Sequence, residues 1–156
     1  MRFKKQVYLD PQELKQDISG EKNVVWTNGC FDLLHVGHLH SLKEAAQYGD
    51  ILIVGLNSDE SVKQLKGEGR PIYTEQDRAN LLSSLGFVDA VLMFNGLNPM
   101  EELKIIKPDI FAKGAEYDLS QLPEAQLVSN YGGKVVSLSL IDSISTSDII
   151  NRIKSL

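Results

Sequence analysis

The sequence is poor in features that mark several protein classes. Its 156 residues include one cysteine, Cys30, so no intramolecular disulfide can form. Basic residues are not in excess. Sixteen Lys plus Arg stand against twenty-one Asp plus Glu, a net charge of -5, which argues against broad adhesion to nucleic acid or an anionic membrane and leaves room for a local cationic pocket. Long apolar runs are absent as well. The longest, such as residues 51–55, are strand-sized, far below the roughly 20 residues needed to cross a bilayer. No N-terminal stretch joins basic residues to an apolar run and a small-residue cleavage site, and the expectation is a soluble cytoplasmic protein without nucleic-acid or membrane partners. Nothing repeats, and no segment is low in complexity.

What is present suffices for one compact core: 42% of residues are hydrophobic in a chain of single-domain length, so one domain over residues 1–156 is expected. Apolar runs at 23–27, 50–56, 90–94, 110–112 and 134–138 read as strands. Between them lie helical stretches. The first, at 39–48, carries Leu39, Leu42, Ala45 and Ala46 on one face. Ser58-Asp59 opens a short helix reaching about Lys66. Thr74, with Asp77 three residues on, caps another whose stripe is Ala79, Leu81, Leu82 and Leu85. Helices are also predicted at 99–106, 123–130 and 147–153. Parallel strands need crossovers that are usually helical, so the pattern predicts a doubly wound, Rossmann-like α/β fold with a mainly five-stranded parallel sheet. Residues 1–20, in which Asp10-Pro11 opens a short helix, form an N-terminal extension to a core at 23–154.

All three histidines, His35, His38 and His40, fall within six residues, just after the first predicted strand and the turn at Gly29. In open α/β sheets ligands bind beyond the carboxyl ends of the strands, and the loop after the first strand is the usual phosphate site. A helix starting near Gly37 would offer free amides and a positive dipole end to an anion, and Gly37 would let the backbone approach closely. A zinc site is the sharpest rival, with Cys30 and His40 available as further ligands. Zinc usually takes three or four protein ligands, however, and a residue two after His38 points to a different helical face. A capping or core role for the histidines is the plain alternative.

The stretch Thr27-Asn28-Gly29-Cys30-Phe31-Asp32-Leu33-Leu34-His35-Val36-Gly37-His38 resembles the first signature of the nucleotidyltransferase superfamily marked by His-x-Gly-His. Ile144-Ser145-Thr146-Ser147-Asp148-Ile149-Ile150 resembles its second, the Ser-Thr-rich turn that opens the last helix. Within the superfamily the chain is most similar, over residues 23–154, to the adenylyltransferases of ADP-heptose synthesis. The supporting stretches are residues 49–59, then Leu65-Lys66-Gly67 leading to Arg70-Pro71, and Lys113-Gly114-Ala115-Glu116-Tyr117. That last segment resembles the family's Lys-Gly-Gly-Asp-Tyr and departs from it at Ala115 and Glu116. The resemblance implies transfer of AMP from ATP to a sugar 1-phosphate, D-glycero-β-D-manno-heptose 1-phosphate, with Mg2+ held mainly by phosphates rather than by protein ligands. It also implies a homodimer. In the family this domain is often fused behind a sugar kinase, and here a separate kinase is expected to supply the acceptor.

A sugar 1-phosphate is already an anionic nucleophile near neutral pH, so catalysis reduces to positioning and charge neutralisation. His35 and His38 are expected to donate to the triphosphate, and Lys113, which follows a strand end and matches a family lysine, joins them as catalytic. Thr27 and the backbone of Asn28, Gly29, Cys30 and Phe31 would line the floor of the nucleotide site with Gly37 and Gly114. Ser145, Thr146 and Ser147 would hold the β and γ phosphates, a role compatible with N-capping. Lys66, Arg70 and Arg78 are the remaining cations placed around the site, against ordinary surface solvation as the plain role. Asp32 would meet the acceptor or a metal-bound water, unless it bonds amides of its own turn. Asn57 and Asp59 follow the second predicted strand, and Asp59 equally fits a helix cap. Glu116 and Tyr117 complete the acceptor side. Cys30 and Trp26 read as packing residues.

Several other readings compete. A cytidylyltransferase acting on glycerol 3-phosphate uses the same site, but its Arg-Thr-Glu-Gly lead into the Ser-Thr turn is Leu140-Ile141-Asp142-Ser143 here. Pantetheine-phosphate and nicotinamide-mononucleotide adenylyltransferases match less of the chain, and an archaeal-type FAD synthetase is a further alternative. A binding protein without catalysis, or a metal protein built on the three histidines, forms the last class.

Overall fold

The computed structural model describes residue 3, residues 6–141 and residues 144–156. Among these residues six strands make one parallel sheet: β1 (Val7–Tyr8), β2 (Val24–Gly29), β3 (Ile51–Asn57), β4 (Ala90–Phe94), β5 (Ile110–Gly114) and β6 (Lys134–Leu138). Their order is β1-β4-β3-β2-β5-β6, every neighbouring pair parallel. The connecting helices are α1 (Pro11–Asp17), α2 (Val36–Ala46), α3 (Asp59–Lys66), α4 (Glu75–Ser83), α5 (Met100–Ile106), α6 (Pro123–Asn130) and α7 (Thr146–Lys154), with a 3-10 turn at Leu119–Gln121.

The sheet is covered on both faces, as its unalternating strands require. On one face Leu14 of α1, Leu103 and Ile106 of α5, and Ala125 and Val128 of α6 pack on Val24, Trp26, Ile53, Leu92 and Phe111. On the other, Leu42 and Ala45 of α2 and Ala79 and Leu82 of α4 pack on Val25, Leu52, Val54, Val91 and Ala112. All seven β3 residues are buried, which is the pattern of a strand sandwiched between helix layers. Glycine at 55 makes room for the indole: a β-carbon there would lie within van der Waals overlap of the Trp26 ring.

The doubly wound parallel architecture is as the sequence predicts, but the sheet has six strands rather than five. The extra strand is β1, two residues that pair only with β4 at the sheet edge. Two residues carry no detectable period, so nothing in the sequence distinguishes them from the approach to α1. That approach is integral to the core, since Tyr8, Leu14 and Ile18 are buried with the sheet. A second difference concerns α4. Leu81, assigned to the apolar stripe, is 41% exposed, and the inward positions are Arg78, Ala79 and Leu82. A buried arginine has displaced the stripe by part of a turn.

The topology fixes where a ligand can sit. From β2 the chain moves outward through β3 to β4 and then crosses back to β5 on the other side of β2, so the β2/β5 pair is the switch point of the sheet. At the amino ends of the strands, the Asp109 and Asp89 carboxylates accept from the amides of Val24 and Leu52. The carboxyl ends open toward the His-x-Gly-His loop and Lys113.

Candidate active site

At the carboxyl end of β2 the chain makes a tight loop in which Phe31 and Leu33, on either side of Asp32, both have positive φ (48° and 51°). Such values cost energy for residues with side chains and persist where the surroundings hold them. Asp32 supplies the hold. Its buried carboxylate accepts from Arg70 Nε at 2.8 Å and from the amides of Ile72 (2.7 Å) and Tyr73 (3.0 Å). Burial pushes this carboxyl up, but the Tyr73 and Ile72 amides and the Arg70 guanidinium outweigh it, and the net shift is down. The amides it binds belong to the loop before α4, not to its own turn.

His35 is the N-cap of α2. Its Nδ1 accepts from the amides of Gly37 (3.1 Å) and His38 (3.4 Å), while His38 Nδ1 accepts from the His35 amide at 3.4 Å, a reciprocal capping box made from two imidazoles. The rings stack with centroids 3.8 Å apart, and Phe31 meets His38 edge-on at 5.4 Å. An imidazole whose Nδ1 accepts is, when neutral, protonated at Nε2. Both rings are held neutral: burial lowers the pKa of His35, and burial with the neighbouring His35 takes His38 down to about 4, the charge of Asp32 opposing only in part. The pair therefore offers two fixed Nε2–H donors beside a helix N-terminus. His40 does not join them. Its Nε2 lies 2.8 Å from Ser139 Oγ and 3.7 Å from Glu44, which also accepts from the Ser139 amide and hydroxyl. Among the described residues, no three His, Cys, Asp or Glu side chains cluster as a metal site.

The two signatures, more than a hundred residues apart in sequence, meet here. Thr146 Oγ1 donates to the Asp32 carbonyl at 2.7 Å, and a β-carbon on Gly37 would sit 2.9 Å from the His35 ring and 3.4 Å from the Ile144 carbonyl. Glycine at 37 is thus a packing requirement where the motifs touch. Ser145 caps α7 through a capping box with Asp148 (2.7 Å between Oγ and Oδ2), and Ser147 is exposed in the first turn. Of the segment leading into that turn, Asp142 and Ser143 lie outside the described residues.

The four cations chosen from the sequence surround Cys30, whose thiol pKa is raised by burial and pulled back by Lys66, Arg78, Lys113 and Arg70. Their states differ. Lys66 is exposed at the end of α3, and Arg70 is half-buried in its ion pair with Asp32. Arg78 has no exposed surface: it donates to the carbonyls of Cys30 (2.7 Å), Asn57 (2.8 Å) and Tyr73 (3.1 Å) and to Asp59 Oδ1 (2.8 Å). Lys113, at the end of β5, donates to the Asn28 carbonyl at 2.7 Å and lies 4.8 Å from the centre of the Tyr117 ring. Burial lowers its pKa, against the opposing charges of Glu124 and Glu116.

Around this centre, Thr27 is buried in β2, and Asn28 uses its side-chain oxygen to accept from Trp26 Nε1 at 3.2 Å. Gly29 has the Phe31 ring 3.2 Å from where a β-carbon would be, and Glu116 folds its carboxylate over Gly114. Asn57 donates to Ser61 Oγ at 3.0 Å, while Ser58, not Asp59, caps α3. Asp59 turns to Arg78 instead. Sequence reasoning missed Glu124, in the first turn of α6, because an acidic residue after a helix-opening proline reads as a favourable dipole partner and nothing more.

A helix start carrying paired imidazole donors stands at the switch point of a parallel sheet beside a Ser-Thr turn, a chemistry suited to anions. A family model described as cytidylyltransferase-like matches residues 26–152, spanning both motifs. The chain belongs to the cytidylyltransferase-like family. The chain is 52% identical over 135 residues to the bifunctional protein HldE of Campylobacter curvus, and the match covers 86% of this chain and 28% of that protein. The chain therefore spans under a third of the length of this relative. The crystal structure of the lipopolysaccharide core biosynthesis protein from Thermoplasma volcanium superposes with a TM-score of 0.65 at 32% identity, covering 76% of this chain and 98% of that one. The pantoate-beta-alanine ligase of Francisella tularensis gives the same TM-score at 14% identity, over 97% of this chain and 78% of its own, a likeness of fold alone.

Proposed function

We propose that the chain is a nucleotidyltransferase that moves AMP from ATP to a sugar 1-phosphate, D-glycero-β-D-manno-heptose 1-phosphate, giving ADP-heptose and pyrophosphate. The observation that carries this reading is the imidazole capping box, whose two neutral N–H donors suit phosphate oxygens, in a chain of the cytidylyltransferase-like family with HldE among its relatives. A phosphate oxygen of the acceptor attacks the α-phosphorus, the bond from that phosphorus to the bridging oxygen breaks, and pyrophosphate leaves with the electron pair. No proton has to be removed from the nucleophile, so no general base is needed. His35 and His38 donate through Nε2 to the oxygens on which charge grows, and rigid capping spares them reorganisation during the reaction. Lys113 adds a cation from the opposite side of β2.

In the same reading Thr146 and the free amides of α7 face the β and γ phosphates, and the backbone of Asn28, Gly29, Cys30 and Phe31 floors the nucleotide site. Arg78 acts from behind, holding the Cys30, Asn57 and Tyr73 backbones in place, and Asp32 positions the 70–73 loop. Mg2+ bound to the nucleotide would offset phosphate charge, with no protein ligand required. The donor set fits this arrangement, since the Asp32 carboxylate is already engaged with Arg70 and two amides. The proposal extends to a cytoplasmic homodimer, with a kinase activity making the acceptor.

The test is pyrophosphate release from ATP, CTP, GTP and UTP paired with heptose 1-phosphate, glycerol 3-phosphate, FMN and phosphopantetheine in the presence of Mg2+. Turnover confined to ATP with heptose 1-phosphate is the expected result. Preference for CTP with glycerol 3-phosphate, or for ATP with FMN, would keep the fold and mechanism and replace the substrates.

A further inference from the structure

Among the described residues, one buried side-chain polar atom has no hydrogen-bond partner: Oε2 of Glu124. The residue is 8% exposed, in the first turn of α6. Buried carboxylate oxygens are costly when unpaired, and one left so beside a binding site points to a partner that arrives with the ligand.

The surroundings say what that partner is. Side chains two apart on a strand share a face, so Lys113 leaves β5 on the side where Phe111 packs against Ala125 and Val128 of α6. Because α6 follows β5, its first turn stands at the carboxyl end of the sheet, and Glu124 flanks Lys113 there. Its charge acts on the ammonium more strongly than that of Glu116. No ion pair joins Glu124 to Lys113 among the described residues, since Lys113 is directed to the Asn28 carbonyl and the Tyr117 ring. A carboxylate repels phosphate, so Glu124 is unsuited to the nucleotide's anionic chain. It suits hydroxyl groups, which donate. A lysine and a carboxylate with a free oxygen at the same end of the sheet match a ligand with a phosphate at one end and hydroxyls at the other.

We infer that Glu124 is a specificity-determining residue whose free oxygen accepts a hydrogen bond from a hydroxyl of the acceptor's sugar ring or side chain. The inference rests on the sugar 1-phosphate reading above. It assigns selection of the polyol portion to α6, apart from the His-x-Gly-His loop that handles the triphosphate.

The experiment compares wild type with Glu124→Leu, which fills the space without an acceptor, and Glu124→Gln, which keeps one carbonyl oxygen. Steady-state kinetics use ATP and heptose 1-phosphate, and calorimetry reads Mg-ATP binding separately. In Glu124→Leu the acceptor KM should rise at least tenfold, with the ATP Kd within twofold of wild type and thermal stability retained or increased. Glu124→Gln should fall between. A series of monodeoxy sugar 1-phosphates supplies the second readout: one member should lose at least tenfold in kcat/KM with wild type and little further with Glu124→Leu. An unchanged acceptor KM, or acceptor and ATP affinities falling together, overturns the inference while leaving the reaction intact. Absence of turnover with every sugar 1-phosphate in the wild type overturns the reading of the reaction, and this inference with it.

Discussion

Replacing Arg78 by alanine should destabilise the protein although the residue is a charged one on a helix. Its guanidinium is wholly buried and ties three stretches of chain together, through the carbonyls of Cys30, Asn57 and Tyr73 and the carboxylate of Asp59. Truncation leaves these acceptors without their donor. Each buried polar group so stranded costs about 1–3 kcal/mol. The Asp59 side chain is 43% exposed, so water takes over much of its share. With three carbonyls that share one donor and relax together, the loss is expected near the range of about 3–5 kcal/mol found when one partner of a buried ionic network is removed. For a chain of this size, roughly 2–4 °C of melting temperature goes with each kcal/mol, which predicts a drop of about 6–20 °C. Thermal and urea unfolding followed by circular dichroism would measure it. Arg78→Lys should recover part of the loss, because an ammonium can reach some of the acceptors but lacks the planar fork that reaches all four. Asp59→Asn should cost under about 1 kcal/mol. A melting temperature for Arg78→Ala within about 2 °C of wild type would refute the assignment of Arg78 as the tie between these backbones.

Four further expectations follow from the site. Long-range 1H–15N NMR should find both His35 and His38 as Nε2–H tautomers, with His38 titrating about pH 4; an Nδ1–H tautomer, or titration near 6.5, would contradict the capping box. Because the His38 pKa is depressed in the folded state, the unfolded chain binds more protons between about pH 6.5 and 4. Stability should therefore be fully present above that window and decline through it, by up to about 3 kcal/mol at the conversion of 1.36 kcal/mol per pKa unit. His38→Ala should lower kcat on the order of a hundredfold to a thousandfold with a smaller effect on ATP binding, as for loss of one preorganised donor, and a near-normal rate would remove His38 from catalysis. Asp32→Asn should weaken the hold on the 70–73 loop. Asp32 has a depressed carboxyl pKa, so its contribution is present above the unfolded carboxylate value and is lost as pH falls through the folded one. The difference in stability between wild type and Asp32→Asn should accordingly shrink in acid, and a pH-independent difference would show that the charge of Asp32 is not what binds the loop.

Most of the frame was readable from local signals. Asp10-Pro11, Ser58 and Thr74 each open the helix they were expected to open, because a capping side chain acts on amides two or three residues away and needs no distant partner. The five longer strands announced themselves as continuous apolar runs, the mark of a sheet buried on both sides. β1 did not, being two residues whose strand character comes entirely from the β4 edge.

At the site the division is the same. The cluster of histidines after the first long strand, and the Ser-Thr turn before the last helix, were visible as spacing, and both prove to cap helix starts. Three features depended on contacts between remote parts of the chain. Arg78 reads as a cation of the site, or as a solvated helix position, until four acceptors from the 30, 57–59 and 73 regions close around it and bury it. Asp32 reads as a turn residue until residues 70–73 bring Arg70 and two amides to its carboxylate. Glu124 reads as a dipole partner at a helix start until packing against β5 buries it without a donor for Oε2. Capping, periodicity and turn chemistry are properties of neighbours along the chain and are written in it. Burial of a charge, and the identity of the groups that satisfy it, exist only once the sheet has brought distant strands and loops together.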